Sequence, residues 1–275
     1  MQGQGELELT VVVPYYNPGP SLVGHVAQVI ELLRLRRVSF EVIAVSDGST
    51  DGSDAGLEQL GPEVRVVYLP VNQGKGRALR VGLGLGRGRY LGFIDGDGDI
   101  PAPVLGEFVE CIERDSPDFA IGSKRHPESV VVYPWLRRFY SFGYQVLTRL
   151  LFGLDVTDTQ SGIKLARREI VTELLPILEE DGFIFDLELL AVARRRGYTH
   201  VVELPVEIRE RFSSTISPRA VLGMLVHTLR LTWRLRVAHR YDRAIVARAP
   251  ADDITSAQAP AAEEPATDVP PRAAC

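Results

Sequence analysis

Three aspartates alternate with glycines in the run Asp95-Gly96-Asp97-Gly98-Asp99, directly after a short apolar segment. If that segment is a strand, alternate side chains point the same way, so all three carboxylates could face one site. Hard divalent cations prefer oxygen ligands and keep positions for water or substrate phosphate. The run therefore predicts a Mg²⁺ or Mn²⁺ site with Asp95, Asp97 and Asp99 as ligands, where the metal would stabilise a leaving diphosphate.

The same residues are also typical of a simple acidic turn, which is the competing interpretation. An EF-hand-like calcium loop is disfavoured, because Ile100-Pro101 follows Asp99 and the twelfth loop position is Gly106 rather than Glu. Spacing alone leaves the metal site and the turn open. The metal site is favoured once the neighbouring motifs are considered.

Two further polar motifs are Ser46-Asp47-Gly48-Ser49 and Asn72-Gln73-Gly74-Lys75-Gly76. Asp47 could accept hydrogen bonds from a base or ribose, or it could form an Asx turn or a helix cap. Lys75 stands at the start of a predicted helix and could meet a phosphate there. The motif around Lys75 is not a P-loop, because the required glycine and Ser/Thr spacing is missing.

Alternating strands and helices over the first hundred residues predict an α/β fold with a mostly parallel sheet flanked by helices. In such sheets, ligands bind beyond the carboxyl ends of the strands, and the polar motifs above lie at those ends. Ser21 is the predicted cap of the first helix. The predicted strands are residues 9–13, 40–45, 64–69 and 90–94, and the predicted helices are residues 21–36, 54–60 and 75–85.

The second half alternates less regularly. It has predicted strands at residues 119–122 and 201–208, and predicted helices at residues 135–152, 186–195 and 219–237. Residues 247–275 are rich in Ala, Pro, Asp and Glu, cannot bury much surface, and are predicted to be disordered.

The net charge of −5 disfavours a general nucleic-acid binder. Residues 122–246 are nevertheless locally basic, with about 19 Lys or Arg against about 14 Asp or Glu, which suits an anionic partner. Two cysteines, Cys111 and Cys275, disfavour a disulfide framework and predict a reducing cytoplasm. We expect no signal peptide and no membrane-spanning segment.

These motifs, taken in order, resemble the family 2 glycosyltransferases of the GT-A (Rossmann-like) fold. More narrowly, they resemble the polyprenyl- or dolichyl-phosphate hexose synthases, above all the dolichyl-phosphate glucosyltransferases. The matching strings are residues 11–17, 45–51, 72–76, 93–99, 122–125, 158–164 and 182–190. The strings at 158–164 and 185–189 indicate the lipid-phosphate branch.

On the donor side, the resemblance implies that Pro14, Tyr16 and Asp47 contact the nucleotide. Lys75 and Gly96 join the same nucleotide-sugar site. Asp95 and Asp97 would form the DxD pair of the family, which binds the metal and the diphosphate. Asp99 would stand where relatives place a further metal ligand.

On the acceptor side, the resemblance places Lys124 where the family has an arginine near the acceptor phosphate, with Arg125 beside it. Arg137 and Arg138 would add positive charge. Arg211 would approach the phosphates as a catalytic residue together with Asp95 and Asp97. The sequence departs from the family pattern at Pro18, Ser46 and Ser217, which leaves the nucleotide contacts open.

Residues 135–152 and 219–240 are both apolar, aromatic and arginine-bearing. A basic amphipathic helix with Trp can lie in the interface of an anionic membrane. The alternative is a pair of ordinary amphipathic helices packed on the sheet. The resemblance thus divides residues 1–246 into a nucleotide-sugar part (9–122) and an acceptor and membrane-facing part (123–246).

The expected function is inverting transfer of a hexose, with UDP-glucose favoured, to polyprenyl or dolichyl phosphate at the cytoplasmic face of the membrane. A separate protein could anchor the enzyme there. The alternatives are mannose transfer from GDP-mannose, transfer to a glycan hydroxyl with Asp186 or Glu188 as the base, and a non-catalytic nucleotide-sugar binder at the membrane. The ionised lipid phosphate would need no general base.

Overall fold

The computed structural model describes residues 7–131, 135–208, 218–238 and 240–242. Its strands are β1 (Leu9–Tyr15), β2 (Phe40–Ser46), β3 (Val64–Tyr68), β4 (Tyr90–Ile94), β5 (Phe119–Ser123), β6 (Val130–Val131), β7 (Ile163–Arg167), β8 (Val201–Pro205) and β9 (Glu207–Ile208). Its α-helices are α1 (Ser21–Leu35), α2 (Lys75–Leu85), α3 (Leu105–Asp115), α4 (Trp135–Phe152), α5 (Arg168–Leu174), α6 (Phe185–Arg195) and α7 (Pro218–Arg236). Short 3₁₀ helices cover Leu57–Leu60, Ala102–Val104, Leu175–Ile177 and Arg240–Asp242.

Seven strands form one sheet in the order β3-β2-β1-β4-β7-β5-β8. The pairs among β1 to β4 are parallel, and β5 is parallel to β8. Strand β7 lies antiparallel between β4 and β5. The other six strands therefore end at one edge of the sheet, and β7 begins there. The expected mostly parallel α/β architecture is confirmed, and the two predicted parts of the chain share one sheet.

The central strands β1, β2, β4 and β5 are buried along their whole length, as their continuous apolar runs predict. Their alternate side chains enter two core layers. On one face, Val11 and Val13 pack with α1 and α3. On the other face, Val12 and Phe93 pack with helices α2, α5, α6 and α7.

Three local predictions need correction. Helix α1 begins at Ser21, but Pro20 holds the cap position and no side chain caps the helix. The predicted helix at residues 54–60 is only the 3₁₀ turn Leu57–Leu60, flanked by glycines with positive φ. The predicted strand at residues 201–208 is two strands, because β8 joins the main sheet whereas β9 pairs with β6.

Elements α3, β7 and α5 were not predicted. The hydrophobic pattern does not predict strand β7, because this strand buries Lys164 in its middle. The Lys164 ammonium needs a partner from a distant part of the chain. Helices α4 and α7 are confirmed as helices. In the described parts of the chain, every helix is too short or too polar to span a bilayer. The predicted tail at 247–275 lies outside the described residues.

Candidate functional site

The ends of three strands meet at the edge where the polar motifs lie. The Asp47 amide donates to the Tyr15 carbonyl (2.8 Å), and the Gly96 amide donates to the Pro14 carbonyl (3.2 Å). The Asp95 amide donates to the Gly162 carbonyl (2.9 Å), which joins the end of β4 to the start of β7. Backbone hydrogen bonds therefore hold the turns after β1, β2 and β4 in one arrangement, as the sequence predicts.

Asp47 is buried, and the backbone uses both of its carboxylate oxygens. The Gln73 amide donates to Oδ1 (2.7 Å) and the Gly74 amide donates to Oδ2 (2.8 Å). Gly48 has φ 73°, and a Cβ there would lie 2.6 Å from the Val71 carbonyl carbon. Asp47 thus fixes the loop that precedes Lys75. Its predicted contact with a nucleotide stays a prediction.

The backbone of residues 180 and 181 also packs against this loop. A Cβ on Gly74 would lie 2.4 Å from the Asp181 carbonyl oxygen, and one on Gly76 would lie 2.7 Å from the Glu180 carbonyl oxygen. The Arg77 amide donates to the Asp181 carbonyl (3.1 Å). The two glycines allow the start of α2 to contact this backbone, and the contact fixes the backbone position of Lys75.

Lys75 places its ammonium on Asp95. Nζ lies 2.9 Å from Asp95 Oδ2 and 2.7 Å from Oδ1, and it lies 3.7 Å from Asp186 Oδ2. It also lies 5.3 Å from the centre of the Phe93 ring. Burial lowers the pKa of Lys75, but the carboxylates of Asp95 and Asp186 outweigh burial and raise that pKa above its usual value. Lys75 is therefore charged at neutral pH.

Asp95 sits against a glycine that leaves room for it. A Cβ on Gly162 would lie 2.3 Å from Asp95 Oδ2, so only glycine allows the carboxylate to take this position. Burial raises the pKa of Asp95, the Lys75 ammonium opposes that rise, and Asp97 and Asp186 add to it. Oδ1 is buried and accepts no well-formed hydrogen bond, although Lys75 is close to it.

Asp97 is exposed, and its Oδ1 accepts the Asp99 amide (3.1 Å) in an Asx turn. Beneath this turn lies the buried His25 ring, whose pKa is lowered by burial against the charge of Asp97. The described residues contain no group of three or more His, Cys, Asp or Glu side chains arranged to hold a metal ion. The three predicted aspartate ligands are thus not gathered, because Asp95 turns to Lys75 and Asp97 turns to the Asp99 amide.

Two carboxylates nevertheless fit a Mg²⁺ or Mn²⁺ site of the kind that takes its other ligands from substrate phosphates and water. Asp97 is accessible, and Asp95 Oδ1 accepts no well-formed hydrogen bond. Asp95 and Asp97 remain the predicted pair, and ligation by Asp99 stays a prediction.

The loop after β1 carries the predicted nucleotide contacts. Pro14 is buried in β1, and Tyr16 is 52% exposed. Asn17 ties this loop to the one after β2, because its Oδ1 accepts the Thr50 amide (2.8 Å). Ser46, one of the departures from the family pattern, accepts the Ser49 amide on its hydroxyl (3.1 Å). Serine thus keeps the turn in shape without adding a charge.

The end of β5 brings Lys124 and Arg125 to the same edge of the sheet. The Lys124 amide donates to Asp158 Oδ2 (3.1 Å), and within the described ranges its ammonium has no polar partner. Arg125 is already engaged with α4, since it donates to Gln145 (2.7 Å) and Ser141 (3.2 Å). Of the two, Lys124 is available for an anion and Arg125 anchors a helix.

The other predicted acceptor cations are not tested by the geometry. Arg137 and Arg138 lie in α4, but their side chains are outside the described part of the structure. Arg211 lies outside the described residues altogether.

A buried ion pair beneath the site was not singled out from the sequence. Lys164 Nζ lies 2.7 Å from Asp186 Oδ1 and 2.6 Å from the Ser161 carbonyl oxygen. Burial lowers the pKa of Lys164 against the raising effect of Asp186. Both residues fall in strings that carry the family resemblance, so those strings could have indicated the pair.

The two carboxylates considered as general bases are both engaged. Asp186 is 2% exposed and lies between Lys164 and Lys75. Glu188 is fully buried and accepts the amides of Glu179 (3.1 Å) and Glu180 (2.9 Å) and the hydroxyl of Tyr241 (2.6 Å). Neither one is presented to a substrate hydroxyl.

Helices α4 and α7 form an apolar face on the same side of the sheet as α2. They are joined by a hydrogen bond between the hydroxyls of Tyr144 and Thr228 (3.1 Å) and by Arg236 donating to the Leu150 carbonyl (3.3 Å). Large exposed apolar side chains follow helical spacing on both helices: Phe142, Val146 and Leu150 on α4, and Leu222, Val226, Leu229, Trp233 and Val237 on or just after α7. We call this surface the two-helix face.

Comparison with known protein families matches residues 10–175 to Glycosyl transferase family 2. Among curated proteins, the chain is 31% identical over 245 residues to Glycosyltransferase AglD of Haloferax volcanii, covering 87% of this chain but 39% of that protein. It is 29% identical over 232 residues to the Dolichyl-phosphate beta-glucosyltransferase of Saccharomyces cerevisiae, covering 76% of this chain and 69% of the relative. The chain thus spans about two fifths of the length of the first relative and about two thirds of the second.

Solved structures show the same fold at low sequence identity. Glucosyl-3-phosphoglycerate synthase of Mycobacterium tuberculosis superposes with a TM-score of 0.62 at 20% identity, over 87% of this chain and 82% of that one. A structure of the same enzyme with Mn²⁺, uridine diphosphate and phosphoglyceric acid superposes with a TM-score of 0.58 at 20% identity, over 87% and 80% of the two chains. These matches confirm the expected GT-A fold.

Proposed function

Because the chain belongs to glycosyl transferase family 2, we propose that it transfers glucose from UDP-glucose to a polyprenyl phosphate. Membership of the family makes the chain a glycosyltransferase, while the donor and acceptor are our inference. One observation carries the choice of acceptor: Asp186 and Glu188 are both buried and engaged. A phosphate acceptor is already ionised near neutral pH and needs no base, whereas a hydroxyl acceptor normally does.

The donor would bind at the ends of β1, β2 and β4. Asp95 and Asp97 would hold Mg²⁺ or Mn²⁺, which supplies stabilisation of the charge on the leaving nucleotide diphosphate. The exposed Tyr16 ring and Pro14 would contact the nucleotide, and Asp47 would keep the loop of Lys75 in place through its two amide contacts. The related synthase structures with uridine diphosphate and Mn²⁺ support a donor of this chemistry.

The acceptor phosphate would approach from the end of β5. Lys124 offers an ammonium there with no described partner, and Arg137, Arg138 and Arg211 are the proposed further cations. These cations would orient the acceptor and screen its repulsion from the donor diphosphate. In-line attack by the phosphate oxygen on the anomeric carbon would invert that centre and give a β-linked polyprenyl phosphoglucose. The relatives named as Dolichyl-phosphate beta-glucosyltransferases support this product.

The two-helix face would lie on the membrane that holds the polyprenyl chain. Neither α4 nor α7 contains Asp or Glu, and together they contain seven arginines: Arg137, Arg138, Arg149, Arg219, Arg230, Arg234 and Arg236. Helices that carry exposed apolar side chains and arginines but no carboxylates suit the interface of an anionic bilayer. We also propose that the enzyme acts at the cytoplasmic face of the membrane, with residues 9–122 serving the donor and 123–246 serving the acceptor.

A donor screen tests this proposal. Purified protein is mixed with vesicles that contain polyprenyl phosphate and with radiolabelled UDP-glucose, GDP-mannose or UDP-galactose, with and without Mn²⁺. We expect label from UDP-glucose to enter the lipid-soluble fraction only when Mn²⁺ is present. Label from GDP-mannose in that fraction would change the donor but keep the reaction. Label that enters only water-soluble products would overturn the lipid phosphate acceptor.

A further inference from the structure

Four charged side chains alternate in sign beneath the acidic turn. They run from Asp95 to Lys75, from Lys75 to Asp186, and from Asp186 to Lys164, with N–O distances of 2.7 Å, 3.7 Å and 2.7 Å. Both ammonium groups also lie 5.3 Å from the Phe93 ring centre. This row connects Asp95, a predicted metal ligand, to the fully buried ion pair of Lys164 and Asp186.

The two oxygens of Asp186 have different nearest ammonium groups. Lys164 Nζ lies 2.7 Å from Oδ1, and Lys75 Nζ lies 3.7 Å from Oδ2. The side chain of Asp186 is 3% exposed, so water cannot readily complete its solvation. A buried carboxylate oxygen at this distance is an attractive second position for a lysine on a flexible four-carbon stem.

Asp95 is the first position, and it is also the position that a divalent cation would need. Lys75 approaches both of its oxygens, at 2.7 and 2.9 Å. A divalent ion ligated by Asp95 would lie within a few ångströms of that ammonium, and two cations so close repel each other strongly in a partly buried site. Either the ammonium stays and weakens metal binding, or it moves away.

We propose that the Lys75 ammonium has two alternative carboxylate partners, Asp95 and Asp186, and that it competes with the divalent cation for Asp95. The proposal rests on the metal site of the proposed function. Binding of the metal and the donor diphosphate shifts Lys75 to Asp186 Oδ2, where it stays beside the site as a positive charge. Lys75 thus lowers metal affinity when no diphosphate is bound. Asp186 limits this loss of affinity because it is a second carboxylate partner for the ammonium.

The test measures Mn²⁺ binding without nucleotide, by calorimetry and by the loss of the free Mn²⁺ signal in electron paramagnetic resonance. Replacement of Lys75 by Met, or by the polar Gln, removes the competitor, and we expect about tenfold tighter Mn²⁺ binding. Asp186→Asn removes the second carboxylate partner of Lys75, and we expect about tenfold weaker Mn²⁺ binding. In the double variant with Lys75→Met, the effect of Asp186→Asn disappears, because the two act through one ammonium.

Arg80→Met is the matched control, since Arg80 is another cation of α2 but pairs with the half-exposed Asp181 (3.0 Å). Its Mn²⁺ affinity stays at the wild-type value. Equal or weaker Mn²⁺ binding in both Lys75 variants overturns the competition, whatever the folding of Asp186→Asn. If Asp186→Asn still weakens Mn²⁺ binding when Lys75 is absent, Asp186 does not act as a second partner of the Lys75 ammonium. If the wild-type protein binds no Mn²⁺ even with UDP, the metal site of the proposed function fails instead.

Discussion

The donor edge of the sheet and the two-helix face satisfy their side chains in opposite ways. At the donor edge, charged groups are engaged inside the molecule: Asp47 takes two backbone amides, and Asp95 and Asp186 share Lys75. On the two-helix face, large apolar side chains such as Trp233 and Leu229 are more than half exposed. In the first region most of these charges are neutralised within the chain, whereas the second region leaves large apolar side chains in contact with solvent.

The segment of residues 180 and 181 contacts both regions. Glu180 receives Arg234 of α7 at 2.7 Å and His227 at 3.3 Å. The backbone of the same residue packs against Gly76, and the Asp181 carbonyl accepts the Arg77 amide. A preorganised edge suits transition-state stabilisation, while an exposed apolar face suits docking. The difference predicts that changes in the first region affect chemistry and changes in the second affect location.

The largest expected effect is at the exposed carboxylate of the donor edge. Asp97→Asn removes a proposed metal ligand without removing a core contact, so we expect sugar transfer to fall on the order of 1,000-fold while the fold persists. Transfer rates are measured at saturating Mn²⁺, and circular dichroism checks the fold. Asp99→Asn is the companion variant, with a smaller expected loss. Wild-type rates for Asp97→Asn would show that the metal assignment is wrong.

The next effect tests how tightly the donor edge is packed. In Gly162→Ala the new methyl group would lie 2.3 Å from Asp95 Oδ2 and would displace that carboxylate. We expect a transfer rate lower by about 100-fold and a stability loss of about 1–3 kcal/mol.

Gly143→Ala is the matched change on the two-helix face, where a Cβ meets nothing within 4 Å. Because alanine favours the helical conformation, the protein should become more stable by up to about 1 kcal/mol, with no change in the transfer rate. Thermal unfolding and transfer assays compare the two variants. Similar losses in both would remove the distinction between a packed edge and an open face.

A third prediction concerns docking. The double change of Leu229 and Trp233 to Ser removes two exposed apolar side chains of α7, so we expect binding to anionic vesicles to weaken at least about tenfold. Unfolding temperature and transfer to a short-chain, water-soluble acceptor phosphate should stay near wild type. Vesicle co-sedimentation measures the first quantity. Unchanged vesicle binding, or a large loss of stability, would indicate that these side chains pack inside the protein instead.

The smallest effect is at Glu188 of α6, which accepts the backbone amides of residues 179 and 180. Burial raises the pKa of Glu188 above its usual value, against the lowering effect of the Tyr241 hydroxyl and the amides of residues 179 and 180. The folded protein therefore holds this proton more tightly than the unfolded chain. The stability contributed by this group is fully present below the ordinary Glu pKa and declines as pH rises through the raised pKa.

Glu188→Gln cannot ionise, so the slope of unfolding free energy against pH should become flatter above the ordinary Glu pKa of about 4.3. Urea unfolding at several pH values measures this slope. Glu169→Gln, on the largely exposed carboxylate of α5, serves as the control and should leave the slope unchanged. An unchanged slope in Glu188→Gln would mean that the amide donors, rather than burial, dominate at this site.

Much of the frame follows from local pattern. The apolar runs of β1, β2 and β4 and the helical spacing of α4 and α7 are properties of neighbouring residues, so they are legible in the sequence. Because parallel strands end at one edge, the meeting of the motifs around Pro14, Asp47 and Asp95 is also predictable. The family resemblance extends this to the class of enzyme.

The tertiary structure alone decided the partners of the charged groups. From the sequence, Lys75 was expected to meet a phosphate and Asp186 was a possible base, yet they lie 3.7 Å apart, with Lys75 also on Asp95. Strand β7 pairs with β4 and β5, and its buried Lys164 is neutralised by Asp186, 22 residues further along the chain. A buried charge is stable only with a partner, and the chain pattern near a residue does not specify a partner that the fold brings from far away.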